Sequence, residues 1–158
     1  MPTRLHPFPA DSAGVVSGWA RTDEEVLMWC GRSTAPVPAE QINAWADEDG
    51  VEPFGLYRDQ QLVAYGELWV DDDEAETELA RLIVDPSERG QGLGRHLARG
   101  LADLARSRHP RVFLRVHPGN IVARRCYAAA GFEPVEARQA AAWNVGQPIE
   151  YIWLSPAT

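Results

Sequence analysis

One stretch limits what this chain can fold into more than any other: Leu82-Ile83-Val84-Asp85-Pro86-Ser87-Glu88-Arg89-Gly90-Gln91-Gly92-Leu93-Gly94-Arg95. An apolar run stops at Asp85-Pro86, three glycines follow at alternate positions, and Leu93, Leu97, Leu101 and Leu104 then recur at spacings of four, four and three. That succession predicts a strand from Thr77 to Val84, a glycine loop, and an amphipathic helix from about Gly92 to Ser107. Without side chains in the loop, backbone N–H groups can point at an anion, and the helix N-terminus adds unpaired donors and a positive dipole end. Arg89 and Arg95 flank the loop and supply charge-assisted contacts. The pattern is that of a phosphate or pyrophosphate cradle, with an ordinary turn as the plainer alternative. The ending of a Walker loop is absent, and Gly90-x-Gly92-x-Gly94 is misspaced for a dinucleotide fingerprint.

The flanking segments place this unit in an α/β domain. Arg4–Phe8 reads as a short strand, and Asp11-Ser12 as the cap of a helix reaching Trp19. Thr22 and Glu25 form a capping-box pattern before a helix stopped by Gly31, and a further helix is expected from Ala39 to Ala46. Phe54–Arg58 and Leu62–Val70 form a hairpin, and the acidic run Asp71–Glu76 a solvated loop. After the leucine helix come a buried strand at Val112–Val116, a helix capped by Asn120 and stopped at Gly131, and strands at about Glu133–Ala142 and Ile149–Leu154. The expected architecture is one domain over residues 1–158, a mixed and mostly antiparallel sheet flanked by helices.

Charge narrows the partners. The 158-residue chain has a formal net charge of -8. Residues 1–80 carry 17 acids and 4 Arg; residues 81–158 carry 6 acids and 11 Arg. So acidic a chain is a poor general binder of nucleic acid. An anion is expected near the second half and a cation near the first. Lys is absent, a bias that fits a GC-rich bacterial coding sequence. Cys30 and Cys126 cannot build a disulfide framework, the N-terminus lacks the apolar core of a signal peptide, and no run is long enough to span a membrane. The expectation is a cytoplasmic protein. His6, His96 and His109 have no metal-ligand spacing, so no metal is expected.

Two segments resemble the GCN5-related N-acetyltransferases. Arg89-x-x-Gly92-x-Gly94 matches that family's acyl-CoA loop, and Asn120 to Phe132 matches its N-x-x-A-x-x-x-Y-x-x-x-G-F element. The resemblance implies an acetyltransferase fold and acetyl-CoA as co-substrate. The backbone of Leu82, Ile83 and Val84 would pair with the pantetheine arm. Backbone N–H groups from Arg89 through Gly90, Gln91, Gly92, Leu93 and Gly94 to Arg95 would hold the pyrophosphate. Asn120 would touch pantetheine or phosphate, and Arg124 or Arg125 the adenosine 3′-phosphate. Tyr127 would protonate the leaving thiolate, and a backbone N–H at Ile83 or a neighbour would polarise the carbonyl.

The chemistry also needs a base for the acceptor amine. Glu78 is the first candidate: strand alternation would put it on the face of Leu82 and Val84. Glu67 on the preceding strand is the second. Either is equally readable as a plain strand residue, Tyr127 as a packed helix residue, His117 as a solvated loop residue, and Cys126 as a small buried hydrophobe. Of the six Trp, at least half are expected in the core. The acidic half favours a cationic acceptor: a polyamine, an amino sugar, an amino-acid derivative or a protein N-terminus. The alternatives are a protein N-terminal or ribosomal-protein acetyltransferase and a non-catalytic acyl-CoA-binding module. Homodimers are common in the family.

Overall fold

The computed structural model describes residues 2–157. β1 (Thr3–Pro7) is followed by three short helices, α1 (Ala13–Ser17), α2 (Asp23–Cys30) and α3 (Ala39–Ala46). β2 (Val51–Arg58), β3 (Gln61–Asp71) and β4 (Glu76–Val84) then form a meander. The second half alternates: α4 (Leu93–Arg108), β5 (Arg111–Val116), α5 (Ile121–Ala129), β6 (Phe132–Pro134), α6 (Ala137–Asn144) and β7 (Ile152–Pro156). All strands join one sheet in the order β1-β2-β3-β4-β5-β7-β6. Only β4 and β5 run parallel. The chain thus folds as the expected mixed α/β domain.

Local chemistry explains most of the boundaries. Thr22 accepts a hydrogen bond from Glu25 N–H at 3.1 Å, and Gly31 ends α2 with φ of 80°, a left-handed conformation that glycine takes without a Cβ clash. Asn120 caps α5 by accepting from Ala123 N–H at 3.2 Å. Two cores lie on opposite faces of the sheet. Leu79, Leu97, Leu101 and Leu114 pack under α4 and α5, while Val16, Val26, Trp45 and Tyr65 pack under α1 to α3. On that second face, α6 lays Trp143 on Phe113 at 4.5 Å.

Five expectations need correction. Residues 137–144 are helix α6 rather than part of a strand, because Ala-Arg-Gln-Ala-Ala-Ala-Trp-Asn is rich in helix formers. The last strand is correspondingly later, at Ile152–Pro156. α1 ends at Ser17, and Ser12 occupies its cap position without a capping hydrogen bond. Leu104 is 36% exposed; the buried stripe of α4 turns instead through Ala98, Ala102 and Ala105.

The fifth correction concerns the strand that carries Glu78. Opposite β3, Tyr65 pairs with Ile83 and Glu67 with Ala80, so β4 spends one residue more than β3 across this step. The extra residue is a β-bulge, and Arg81 within it has φ of +52°. Alternation flips there. Glu78 shares its face with Ala80 and Ile83, not with Leu82 and Val84.

The leucine stripe yields a stability test. Leu101→Ala should lower unfolding free energy by about 2–5 kcal/mol, while Leu104→Ala should cost less than about 1 kcal/mol, as read from denaturant midpoints.

Candidate active site

β4 and β5 pair only from Glu76–Arg111 to Leu79–Leu114. Past that point β4 runs on to Val84 and β5 to Val116 unpaired with each other. The parting strands open a cleft between the two cores. A cavity of 690 Å³ fills it, bounded by Leu82, Ile83 and Val84 of β4, the loop from Glu88 to Gly92, the start of α4, and Asn120, Ala123, Cys126 and Tyr127. Leu82, Ile83, Val84, Arg89, Gly90, Gln91, Gly92, Leu93, Gly94, Arg95 and Asn120 therefore all come together. Arg124 does not; its guanidinium donates to the Pro118 carbonyl at 2.9 Å.

The loop is shaped for an anion. Gly90 and Gly92 take φ of +83° and +77°, which L side chains rarely adopt. A Cβ on Gly94 would lie 2.8 Å from Cys126 Sγ, so glycine there sets the close packing of α4 on α5. Helix α4 has Gly92 at its cap position and no side-chain cap, which leaves its first N–H groups for a ligand. Arg95 is exposed at the rim. Arg89 is held by Glu25 of α2 at 3.3 Å, and Arg58 neutralises Glu88.

A second cavity, of 230 Å³, adjoins the first. The two share Met28, Trp29, Leu82, Asn120, Ala123 and Tyr127. Tyr127 stands at this junction, its phenol pushed up by burial and then by neighbouring Cys126. It is thus a neutral O–H at physiological pH. Beyond it the second cavity is walled by Trp69, Tyr151, His117 and Arg81, with Glu78 as its one carboxylate. Arg115 grips Glu78 with Nε to Oε2 at 2.7 Å and Nη2 to Oε1 at 2.9 Å. Burial pushes the Glu78 carboxyl up, and Arg115 opposes this without cancelling it. His117 Nδ1 accepts from Gly119 N–H at 2.9 Å.

Glu67, the second candidate base, reaches neither cavity. It is 0% exposed and accepts from the Tyr65 hydroxyl, Trp69 Nε1 (2.9 Å) and Arg81 Nη1 (3.0 Å).

A model of the acetyltransferase (GNAT) family matches residues 16–132. The chain belongs to the GNAT acetyltransferase family. Its fold is shared by aminoglycoside acetyltransferase AAC(6')-Ib in complex with coenzyme A and kanamycin, at 19% identity and a TM-score of 0.73, covering 97% of this chain and 93% of that one. It is also shared by spermidine N-acetyltransferase from Vibrio cholerae in complex with CoA and spermine, at 15% identity and TM-score 0.70, over 85% and 82%. A third similar structure is yncA, a putative acetyltransferase from Salmonella typhimurium with acetyl-CoA, at 17% identity and TM-score 0.67, over 96% and 91%.

Sequence reasoning missed parts of this GNAT site. Arg115 had a usable signal: it is the one charge inside the apolar run Val112–Val116, and a charge there needs a partner. Tyr151 and the Met28 side of α2 had none, because long-range packing brings them in. Cys126 proves half-buried at the cavity wall. Trp19, Trp29, Trp45 and Trp153 are core, as expected for at least half of the six. Among the described residues no three His, Cys, Asp or Glu could hold a metal, and no helix is long and apolar enough to cross a membrane.

The Glu78 pair gives a pH test. Arg115→Ala leaves a buried carboxylate without its cation, at a cost of about 3 kcal/mol at neutral pH. The folded Glu78 pKa then lies still further above its unfolded value. The loss relative to wild type should therefore be largest at neutral pH and shrink as pH falls toward the ordinary carboxylate range, where Glu78 is protonated in both proteins, as followed by Tm from pH 4 to 8.

Proposed function

We propose that this GNAT protein transfers an acetyl group from acetyl-CoA to the amine of a small acceptor by direct attack. The junction of the two cavities at Tyr127 carries the reading. It brings one site shaped for a polyphosphate thioester end to end with a compact site holding a carboxylate. Acetyl-CoA supplies an activated acyl carbonyl and a thiolate leaving group. The CoA-bound neighbours support this partner, and their aminoglycoside and spermine ligands support an amine acceptor.

The residues divide the work. Free N–H groups of the glycine loop and the first turn of α4 hold the pyrophosphate, with Arg95 adding charge. When the phosphates arrive, Arg89 exchanges Glu25 for them. The unpaired edge of β4 from Leu82 to Val84 takes the pantetheine amides as a further strand. A backbone N–H there polarises the acyl carbonyl. Glu78 receives the amine proton, directly or through water, and Tyr127 donates its proton to the departing sulfur. Holding both reactants in adjoining cavities supplies much of the rate.

The acceptor we favour carries one amine rather than several. The acids of the first half do not converge on the acceptor cavity: Glu25, Glu48, Glu52 and Glu76 pair with Arg89, Arg81, Arg108 and Arg111. A polycation would find only Glu78 there, already facing Arg115. Of the acceptors suggested by charge, an amino-acid derivative fits better than a polyamine. A compact aromatic-walled cavity also favours a small molecule over a folded protein.

Thiol release from acetyl-CoA against a panel of amines tests the assignment. Tyr127→Phe should lower kcat by about 10²–10⁴-fold with CoA affinity unchanged. Glu78→Gln should remove an acid limb lying above the ordinary carboxylate range. Tight CoA binding with no thiol release on any amine would point instead to a non-catalytic acyl-CoA-binding module.

A further inference from the structure

We propose that Glu67 is a positioning residue that locks the β4 bulge through Arg81 and so fixes the Leu82–Ile83 backbone presented to the acyl group. What that backbone does rests on the acetyltransferase reading; how the clamp is built does not.

Arg81 is a non-glycine residue in the left-handed region, at φ +52°. Such a conformation persists only where its surroundings over-determine it. Here they do. The guanidinium is stacked 4.1 Å from the Trp45 ring centroid and 4.8 Å from that of Trp69. It donates to Glu67 at 3.0 Å and to Glu48 at 3.2 Å. Its own carbonyl accepts from Trp29 Nε1–H at 2.9 Å, which ties the bulge to α2.

Glu67 is the buried anchor of this cage. It sits opposite Ala80, beside the bulge, and its two oxygens take three side-chain donors. Burial pushes its carboxyl up, with Arg81 opposing. Neither of the two cavities is lined by it, so an acceptor amine held in them does not meet its oxygens. The bulge that it holds reverses side-chain alternation. That reversal puts Ile83 against the α2 side and Leu82 and Val84 against the α4 side, at the point where β4 has left β5. Without the bulge, the cleft would be edged by the opposite faces of these residues.

The test separates clamp from base and from general packing. Two double variants, E67Q/R81G and E67Q/R81A, lose the same buried ion pair and the same ring stacking. They differ only in what φ +52° costs, since glycine adopts it freely and alanine does not. Acetyl-CoA affinity by calorimetry, on the folded full chain, should be about fivefold tighter for the glycine variant than for the alanine variant. Equal affinities would overturn the proposal. The single variant Glu67→Gln should lower kcat/KM yet keep the acid limb of the pH–rate profile. Loss of that limb would make Glu67 the base and also overturn it. Should the wild-type protein release no thiol with any amine, the functional reading fails, while the affinity comparison still decides the clamp.

Discussion

Two parallel strands that stop pairing leave backbone N–H and C=O groups without partners, and a fold cannot leave such groups buried and empty-handed. In this protein β4 and β5 separate after Leu79 and Leu114, and the rest of the site follows from that. The parting opens a cleft between the α4 side and the α2 side. An extended amide chain is the ligand that satisfies a bare strand edge. The glycine loop and Tyr127 both line the cavity that runs along this edge.

The charges fit the same geometry once they are placed. The basic second half is not a diffuse patch. Arg115 serves Glu78, Arg81 serves Glu67 and Glu48, and Arg58, from the acidic half, serves Glu88. What remains for an anion is mainly backbone: uncapped N–H groups of α4 and the glycine loop, with Arg89 and Arg95 beside them. Of the acids of the first half, Glu25, Glu48, Glu52 and Glu76 are spent in pairs with arginine. Glu78 is the one carboxylate lining the smaller cavity, and its environment sets it between two demands. Burial disfavours its charge, while Arg115 opposes this without cancelling it.

The sequence was legible where local chemistry decides structure. Thr22, Gly31, Asn120 and Gly131 act at helix ends as their types predict, and the leucine spacing of α4 places its core face to within one turn. The glycine loop and the Asn120–Phe132 element were enough to name the family, and eleven of the residues expected to meet acyl-CoA line one cavity. It was misleading where a long-range effect overrides a local rule. Alternation along β4 fails at Arg81, because the bulge is stabilised by Trp45, Trp69 and Glu67 from other elements. Glu67 looked like a base because it is a carboxylate on a neighbouring strand, but only packing reveals that its oxygens face inward. Residues 137–144 form a helix rather than the end of a strand because the segment is rich in alanine and other helix formers.

The account stands or falls on where the thioester lies. A crystal structure of the complex with acetyl-CoA decides this directly. The account predicts pyrophosphate oxygens within hydrogen-bond distance of the N–H groups between Gly90 and Arg95, pantetheine alongside Leu82–Val84, and the sulfur facing Tyr127 Oη at the junction of the two cavities. A cofactor bound elsewhere, or in this cleft with its thioester turned away from both Tyr127 and the cavity holding Glu78, would contradict it.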